Sequence, residues 1–154
     1  MNSFLIEKAM NSDAILKRAF GGVYMLDELP RVPAFQRPKA FIFNTSTLPG
    51  EHWVCAFFPL TGPAEYFDPA GQKPRLEFVY FLNKHSRKWR RNVEPFQPPE
   101  SWTCGQFCIF YLSLRICNKD PYDFLSNKTL HLNDFFVDAF VTRSFKLNRK
   151  YCIH

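Results

Sequence analysis

Four residues in the middle of the chain have the types and the order that acyl transfer requires: His52, Asp68, Gln97 and Cys104. A cysteine thiolate becomes a nucleophile when an imidazole takes its proton and later returns it to the leaving amine. A carboxylate can fix the tautomer of that imidazole and stabilise its cation. An amide side chain and a backbone N–H can bind the developing oxyanion. Each residue alone also fits a plain structural role, such as a turn aspartate, a capping glutamine or a core histidine.

Cys104 is predicted to begin a helix. After Gly105, which permits close backbone approach, apolar residues recur at i, i+3, i+4 and i+7, namely Phe107, Phe110, Tyr111 and Leu114. Unpaired backbone N–H groups and the positive end of the helix dipole stabilise a thiolate at this position. This predicted helix therefore favours Cys104 as the nucleophile among the cysteines.

Strands are predicted at 39–44, 52–58, 65–68 and 92–96. The second is almost wholly apolar, which predicts a central place in the sheet. His52 starts that strand and Asp68 ends the next one, so pairing of the two strands would bring these side chains together. The sequence therefore predicts a site at one end of two neighbouring strands.

Helices are predicted on both sides of this group of strands. One covers 13–20, with Ser12 as its N-cap and Gly21-Gly22 as its stop, and another begins near Pro74. Asp120-Pro121 predicts a short helix, and Asn133-Asp134 predicts the cap of a last one, with Phe136 and Phe140 on its inner face. The pattern predicts an α+β fold, with a mixed central β-sheet flanked by helices, and one domain over residues 1–154.

The chain is basic, with 20 Lys and Arg against 14 Asp and Glu, a formal net charge of +6. One short run concentrates this charge around Trp89, and it contains Lys84, Arg87, Lys88, Arg90 and Arg91. A basic run with an interleaved aromatic residue is typical of a surface that binds nucleic acid. The same run also fits a solvated helix end and loop.

The five cysteines include no Cys-x-x-Cys pair, and their spacing matches no common zinc site, so no metal is expected. An odd number of cysteines and no recognisable secretory signal indicate a reducing compartment. No apolar run is long enough to cross a bilayer. The residues leave the roles of four cysteines open: Cys55, Cys108, Cys117 and Cys152.

Four motifs occur in a characteristic order: Gly50-Glu-His52-Trp53, Tyr66-Phe-Asp68-Pro-Ala-Gly71, Gln97, and Cys104-Gly-Gln-Phe-Cys108. In this order they resemble the adenovirus protease (adenain) family and, more broadly, the cysteine proteases that act on SUMO and other ubiquitin-like proteins. The segment Ala40-Phe-Ile-Phe-Asn44 is similar to adenain as well. The resemblance covers roughly residues 22 to 138.

The resemblance implies a papain-like core of the adenain type, with the nucleophile at a helix N-terminus. It implies His52 as general base and acid, Asp68 as its orienting carboxylate, Cys104 as nucleophile and Gln97 as oxyanion-hole donor. It further implies an endopeptidase that cleaves after glycine, in Gly-Gly or Gly-x-Gly contexts. A narrow groove that admits only glycine would explain this preference, with Trp53, Trp102 and Gly105 as the substrate-binding residues.

The resemblance also implies a biological setting. The expected substrates are viral capsid or core precursor proteins, cleaved during virion maturation by a monomeric enzyme in the host nucleus, a cytoplasmic virus factory or the virion interior. The chain is short for an adenain, which implies a minimal relative of the kind that occurs in small DNA viruses, virophages or Maverick-type elements. No cofactor is expected for the chemistry, although DNA or a noncovalently bound peptide could activate it. The chain departs from adenain in having no cysteine between Cys55 and Cys104 to which an activating peptide could be disulfide-bonded.

Two other functions fit the sequence. A protease that removes SUMO or another ubiquitin-like modifier would share the fold and the site, but it needs a broad surface for a folded partner. A catalytically inactive DNA-binding or capsid-associated module would explain the positive charge. The intact set of His52, Asp68, Gln97 and Cys104 argues against this last function.

Overall fold

A five-stranded sheet forms the centre of the molecule. The computed structural model describes residues 1–47 and 52–146, so Gly50, Glu51 and Cys152 lie outside the described residues. The strands are β1 (Phe20–Tyr24), β2 (Lys39–Asn44), β3 (Trp53–Phe58), β4 (Ala64–Phe67) and β5 (Trp89–Arg91). They lie side by side in chain order, with β1 and β2 parallel, β2, β3 and β4 antiparallel, and β4 and β5 parallel.

Both faces of the central strands are apolar. In the β2–β3 register, Phe41 lies opposite Ala56 and Ile42 lies opposite Cys55. Successive side chains point to opposite faces of a strand. Ile42 and Cys55 accordingly join one buried cluster while Phe41 and Ala56 join the other. This two-sided burial explains why β3 is an unbroken apolar run, and it confirms the predicted central place of that strand.

Helices cover the two faces of the sheet. They are α1 (Ser3–Asn11), α2 (Ala14–Ala19), α3 (Leu76–His85), α4 (Cys104–Ile116) and α5 (Leu130–Phe145). Helix α4 packs against β3 and is buried from Cys104 to Leu114, since α1 and α5 cover its outer sides. Helix α3 and a 3-10 segment at Leu26–Arg31 cover the opposite face. The predicted α+β class with a mixed, helix-flanked sheet is confirmed.

The predicted start of the chain needs correction. Asp13, not Ser12, caps α2, because its carboxylate accepts hydrogen bonds from the backbone N–H groups of Ile15 and Leu16 at 2.8 and 3.1 Å. Gly21 and Gly22 do not stop a helix but lie within β1. A Cβ on Gly21 would come within 2.3 Å of the Phe41 ring. Gly21 therefore allows β1 to pack closely against Phe41 of β2, and it does not end a helix.

Two later boundaries also differ from the prediction. The strand expected at 92–96 forms earlier, as β5 at Trp89–Arg91, so part of the basic run is a sheet edge. Asn133 does not cap the last helix, because α5 begins at Leu130 and Asn133 is buried inside it. Its amide donates to the carbonyl oxygens of Phe96 and Ser126, at 3.1 and 2.6 Å. Phe140 packs against the core as expected, but Phe136 stays 40% exposed.

Neither membrane nor metal features occur among the described parts of the chain. No helix within residues 1–47 and 52–146 is both long and apolar enough to cross a bilayer. Over the same ranges, no three side chains of His, Cys, Asp or Glu are grouped so that they could hold a metal ion.

Candidate active site

Cys104 is the first residue of α4, so its sulfur lies at the helix N-terminus. The side chain is buried, and the backbone N–H of Trp53 donates a hydrogen bond to Sγ at 3.5 Å. Burial alone would raise the pKa of this thiol. The hydrogen bond and charge of His52, the Trp53 N–H and the charged α-amino group together lower the pKa below its ordinary value. Cys104 therefore has the surroundings of a thiolate nucleophile.

His52 and Asp68 are joined by a short hydrogen bond. His52 lies directly before β3 and Asp68 directly after β4, and Nε2 of the imidazole is 2.5 Å from Oδ1 of the carboxylate. Burial would lower the pKa of His52, but the hydrogen bonds to Asp68 and Cys104, with the charges of both, raise it to about 10. The depressed thiol pKa and the raised imidazole pKa together favour a thiolate–imidazolium pair at neutral pH.

The backbone around Asp68 is held from several sides. Its Oδ1 also accepts a hydrogen bond from the N–H of Ala70 at 2.8 Å, within the turn that Gly71 closes. Asn92 accepts from the N–H of Asp68 at 3.0 Å and donates to its carbonyl oxygen at 2.6 Å. Gly71 has φ +71°, and a Cβ there would lie 2.6 Å from the backbone of Glu94. The Asp-Pro-x-Gly motif thus places the carboxylate rigidly.

Gln97 is buried beside this turn. Its backbone N–H donates to the carbonyl of Pro69 at 3.1 Å, and its side-chain Nε2 donates to the carbonyl of Ser101 at 2.9 Å. The first bond ties Gln97 to the turn that carries Asp68, and the second ties it to the loop that leads into Cys104. The second hydrogen of the side-chain amide is not used by the bond to Ser101.

Trp53 and Gly105, two of the predicted substrate-binding residues, lie against Met1. The indole Nε1 of Trp53 donates to the carbonyl of Met1 at 2.9 Å, and only 5% of Trp53 is exposed. A Cβ on Gly105 would lie 3.2 Å from Cβ of Met1 and 3.4 Å from the Trp53 ring. Met1, which sequence reasoning did not consider, therefore covers the side of the site where these two residues meet.

Trp102, the third predicted substrate-binding residue, is 66% exposed. It lines a groove of about 500 Å³ between the loop before Cys104 and helix α5. Asp134 of α5 accepts hydrogen bonds from Ser101 and Thr103 in that loop, so the loop and the helix that line the groove are bonded to each other. The two tryptophans that the sequence predicts as walls of one groove thus have different surroundings.

The remaining described cysteines differ from Cys104. Cys55 and Cys108 are fully buried, and burial together with contact between their side chains raises the pKa of Cys108 well above its ordinary value. Cys117 is exposed near the end of α4, and all four described thiols are free. Only Cys104 among them is paired with an imidazole.

The basic run spans three kinds of structure. Lys84 is on the last turn of α3, Arg87 and Lys88 lie in the connection after it, and Arg90 and Arg91 are on β5. The first three are exposed. Arg90 is exposed as well, and its guanidinium donates to the buried carboxylate of Glu65 at 3.2 Å. The run is therefore partly a surface strip and partly a support for Glu65.

Three residues that position the site were missed from the sequence: Met1, Asn92 and Asp134. Asn92 carried a weak signal, because an asparagine is a poor start for the strand predicted there. The other two act through contacts with residues more than 30 positions away, and no local pattern marks such contacts.

Comparison with known proteins finds a viral protease of similar sequence and solved proteases of similar fold. No protein-family model matches the chain. The cysteine protease S273R of African swine fever virus (isolate Tick/Malawi/Lil 20-1/1983) is 29% identical, over 81% of this chain and 52% of its own length. The chain thus spans about half the length of this curated relative.

Solved structures share the fold. The crystal structure of the African swine fever virus pS273R protease matches with a TM-score of 0.68 and 21% identity, covering 95% of this chain and 67% of that one. The SUMO protease Ulp1, with its catalytic cysteine oxidized to a sulfinic acid, matches with a TM-score of 0.50 and 15% identity, covering 94% and 78%. The sequence of this chain is therefore similar to that of the viral cysteine protease S273R, and its fold is shared with the solved pS273R and Ulp1 proteases.

Proposed function

We propose that the chain is a cysteine endopeptidase that cleaves viral precursor proteins after glycine. The observation that carries this proposal is the contact chain from Asp68 through His52 to the Cys104 sulfur at a helix N-terminus. A buried thiolate beside an oriented imidazolium is costly to build, and acyl transfer is the chemistry that uses it.

In the proposed reaction the Cys104 thiolate attacks the carbonyl carbon of the scissile peptide and forms a tetrahedral intermediate. The backbone N–H of Cys104 and the free amide hydrogen of Gln97 stabilise its oxyanion. The His52 imidazolium gives its proton to the leaving nitrogen, and the C–N bond breaks to leave a thioester on Cys104. Neutral His52 then takes a proton from water, which attacks the thioester and releases the acid product and the thiolate.

Glycine specificity follows from the lack of room beside the nucleophile. Even a Cβ on Gly105 would lie 3.2 Å from Met1 and 3.4 Å from the Trp53 ring, and this close packing beside Cys104 supports a preference for a substrate residue without a side chain. The viral origin of the relative with a similar sequence supports capsid or core precursors as substrates and virion maturation as the role.

The test is a peptide-library digest read by mass spectrometry. The wild-type protein is expected to cut after glycine, Cys104→Ala to cut nowhere, and Cys117→Ala to cut like the wild type. Cys117 is a matched control, since it is a free and exposed thiol outside the pair with His52. Cleavage by Cys104→Ala would refute the proposal.

Removal of a ubiquitin-like modifier is the second candidate, and the fold shared with the SUMO protease Ulp1 favours it. A SUMO or ubiquitin-like probe with a C-terminal electrophile separates the two functions. The endopeptidase is expected to ignore the folded probe and to react with a short glycine peptide carrying the same electrophile. The opposite preference would favour the deconjugating enzyme.

DNA is proposed as an activator, bound by the exposed strip of Lys84, Arg87 and Lys88. Contacts to phosphate depend strongly on salt. We expect DNA to raise the cleavage rate at low salt, and we expect Arg87→Glu with Lys88→Glu to abolish that increase while leaving the DNA-free rate unchanged. No effect of DNA on the wild-type rate would refute this role.

A further inference from the structure

The groove beside Trp102 has an unusual charge for this protein. Although the chain has a formal net charge of +6, the groove is lined by the carboxylates of Glu100, Asp134 and Asp138. Among residues 1–47 and 52–146, no Lys or Arg forms an ion pair with any of these three carboxylates. His131 lies 3.4 Å from Glu100 and is the only basic side chain paired in that part of the described structure. The groove therefore carries an excess of carboxylates, and Asp138 has no ion pair among the described residues.

The groove is also apolar at its rim. One face of α5 turns toward the loop before Cys104, and it carries His131, Asp134, Phe135 and Asp138 at i, i+3, i+4 and i+7. Phe135 is 70% exposed and Trp102 is 66% exposed. Two large exposed rings beside carboxylates match the chemistry of an arginine or lysine side chain, whose stem packs on apolar surface while its head meets an anion or a ring face.

Hydrogen bonds hold the groove close to Cys104. Asp134 accepts hydrogen bonds from Ser101 and from Thr103, the residue directly before Cys104. Trp102 lies between those two donors in the chain. A substrate side chain held against Trp102 would therefore belong to a residue close to the scissile bond.

The cleft on the histidine side has the opposite charge. It is lined by His52 and Asp68 and, further out, by Lys73 and Arg75, with a volume of about 550 Å³. Lys73 and Arg75 are exposed. Arg75 also pairs with Glu77 at 3.3 Å. A peptide that reaches both clefts would therefore meet Lys73 in one and carboxylates in the other, and this favours one orientation of the peptide.

We infer that the groove formed by Trp102, Phe135, Glu100 and Asp138 is a specificity subsite for an arginine or lysine side chain of the substrate, within a few residues of the cleaved glycine. This inference rests on the proposed endopeptidase function and adds the substrate's charge pattern to it. The subsite would select precursor sequences that combine a glycine with a nearby basic residue.

The test uses glycine peptides with arginine at each of the four positions before and after the glycine, each matched by a peptide with citrulline, the neutral isostere of arginine. At one of these positions, arginine is expected to raise kcat/KM about three- to tenfold over citrulline, the scale of one partly exposed charge pair. Asp138→Asn is expected to lower that ratio, because Glu100 still lines the groove, and Asp138→Lys is expected to bring it to about one or below. Asp123→Lys, which changes an exposed carboxylate that does not line the groove, is the matched control and is expected to keep the wild-type ratio.

Binding separates failure of the subsite from failure of the proposed function. With Cys104→Ala, the arginine peptide is expected to change Trp102 fluorescence at lower concentration than the citrulline peptide, and Trp102→Phe should remove the signal. If no peptide is cut, the proposed function fails, and this binding difference still tests the subsite. An arginine-to-citrulline ratio of one in the wild type, or a ratio that Asp138→Lys leaves unchanged, would overturn the inference.

Discussion

Asp68→Asn removes one negative charge from the site and leaves the fold in place. Asn92 holds the backbone of residue 68 at both its N–H and its carbonyl, and an asparagine Oδ1 can still accept from the N–H of Ala70. What is lost is the charge that faces His52 at 2.5 Å and helps to raise its pKa to about 10. The variant therefore measures how much the charge of Asp68 contributes to the reactivity of the site.

The expected loss of reactivity follows from the coupling between the pKa values of His52 and Cys104. Each pKa unit corresponds to about 1.4 kcal/mol, or a factor of about ten in a protonation equilibrium. When the pKa of His52 falls toward its ordinary value of 6.5, the imidazole is largely neutral near pH 8 and no longer lowers the pKa of Cys104. We expect the alkylation rate of Cys104 at pH 8 to fall about tenfold, and kcat/KM to fall about a hundredfold or more.

The assay is the rate of iodoacetamide modification at Cys104 between pH 4 and 10, followed by mass spectrometry. The wild type is expected to react throughout the neutral range, and Asp68→Asn is expected to show a profile displaced to higher pH. Asp123→Asn, at an exposed carboxylate outside the site, serves as control. A variant profile that coincides with that of the wild type would refute the thiolate–imidazolium assignment.

Three further outcomes test other parts of the structure. Gln97→Ala is expected to lower kcat about a hundred- to a thousandfold while leaving iodoacetamide alkylation of the cysteine unchanged, because alkylation forms no oxyanion; a parallel loss of both rates would contradict the oxyanion role. Trp53→Phe removes the donor to the Met1 carbonyl and is expected to cost about 1 kcal/mol in the free energy of unfolding, which urea denaturation measures; an unchanged value would show that the bond contributes nothing. Glu65 accepts two hydrogen bonds from Arg115, at 2.7 and 2.8 Å, and its pKa is lowered because these and its other bonds outweigh the effect of burial. The ionised Glu65 carboxylate therefore stabilises the fold above the pKa that it has in the unfolded chain, and this stabilisation is lost as pH falls through its pKa in the folded protein. Glu65→Gln should lower the free energy of unfolding by about 2–4 kcal/mol at pH 7 and by much less at pH 3. An equal loss at both pH values would contradict this account.

The placement of His52, Asp68 and Cys104 could be predicted because the elements that carry them are encoded locally. His52 begins an apolar run, Asp68 opens a Pro-x-Gly turn, and Cys104 precedes an apolar helical stripe, so each motif carries its own secondary-structure signal. Antiparallel pairing of β3 with β4 then brings two of them together. The α+β class follows from the same signals.

The rest depends on contacts between distant parts of the chain. Met1 reaches Trp53 across 52 positions, and Asp134 reaches Thr103 across 31. Asn133 looks like a helix cap in the sequence, yet its amide serves the carbonyl of Phe96 in another segment. Such partners are chosen by packing in the folded chain, and local propensity and periodicity do not reveal them.

The central claim, that Cys104 is the nucleophile of a glycine-directed protease, is tested most directly by covalent capture. A short peptide ending in a glycine vinyl sulfone is incubated with the protein near pH 6, and the modified residue is located by mass spectrometry. We predict one adduct, on Cys104, formed rapidly in the wild type and several orders of magnitude more slowly in His52→Ala. An adduct on the exposed Cys117, or an adduct on Cys104 that forms equally fast without His52, would contradict the account.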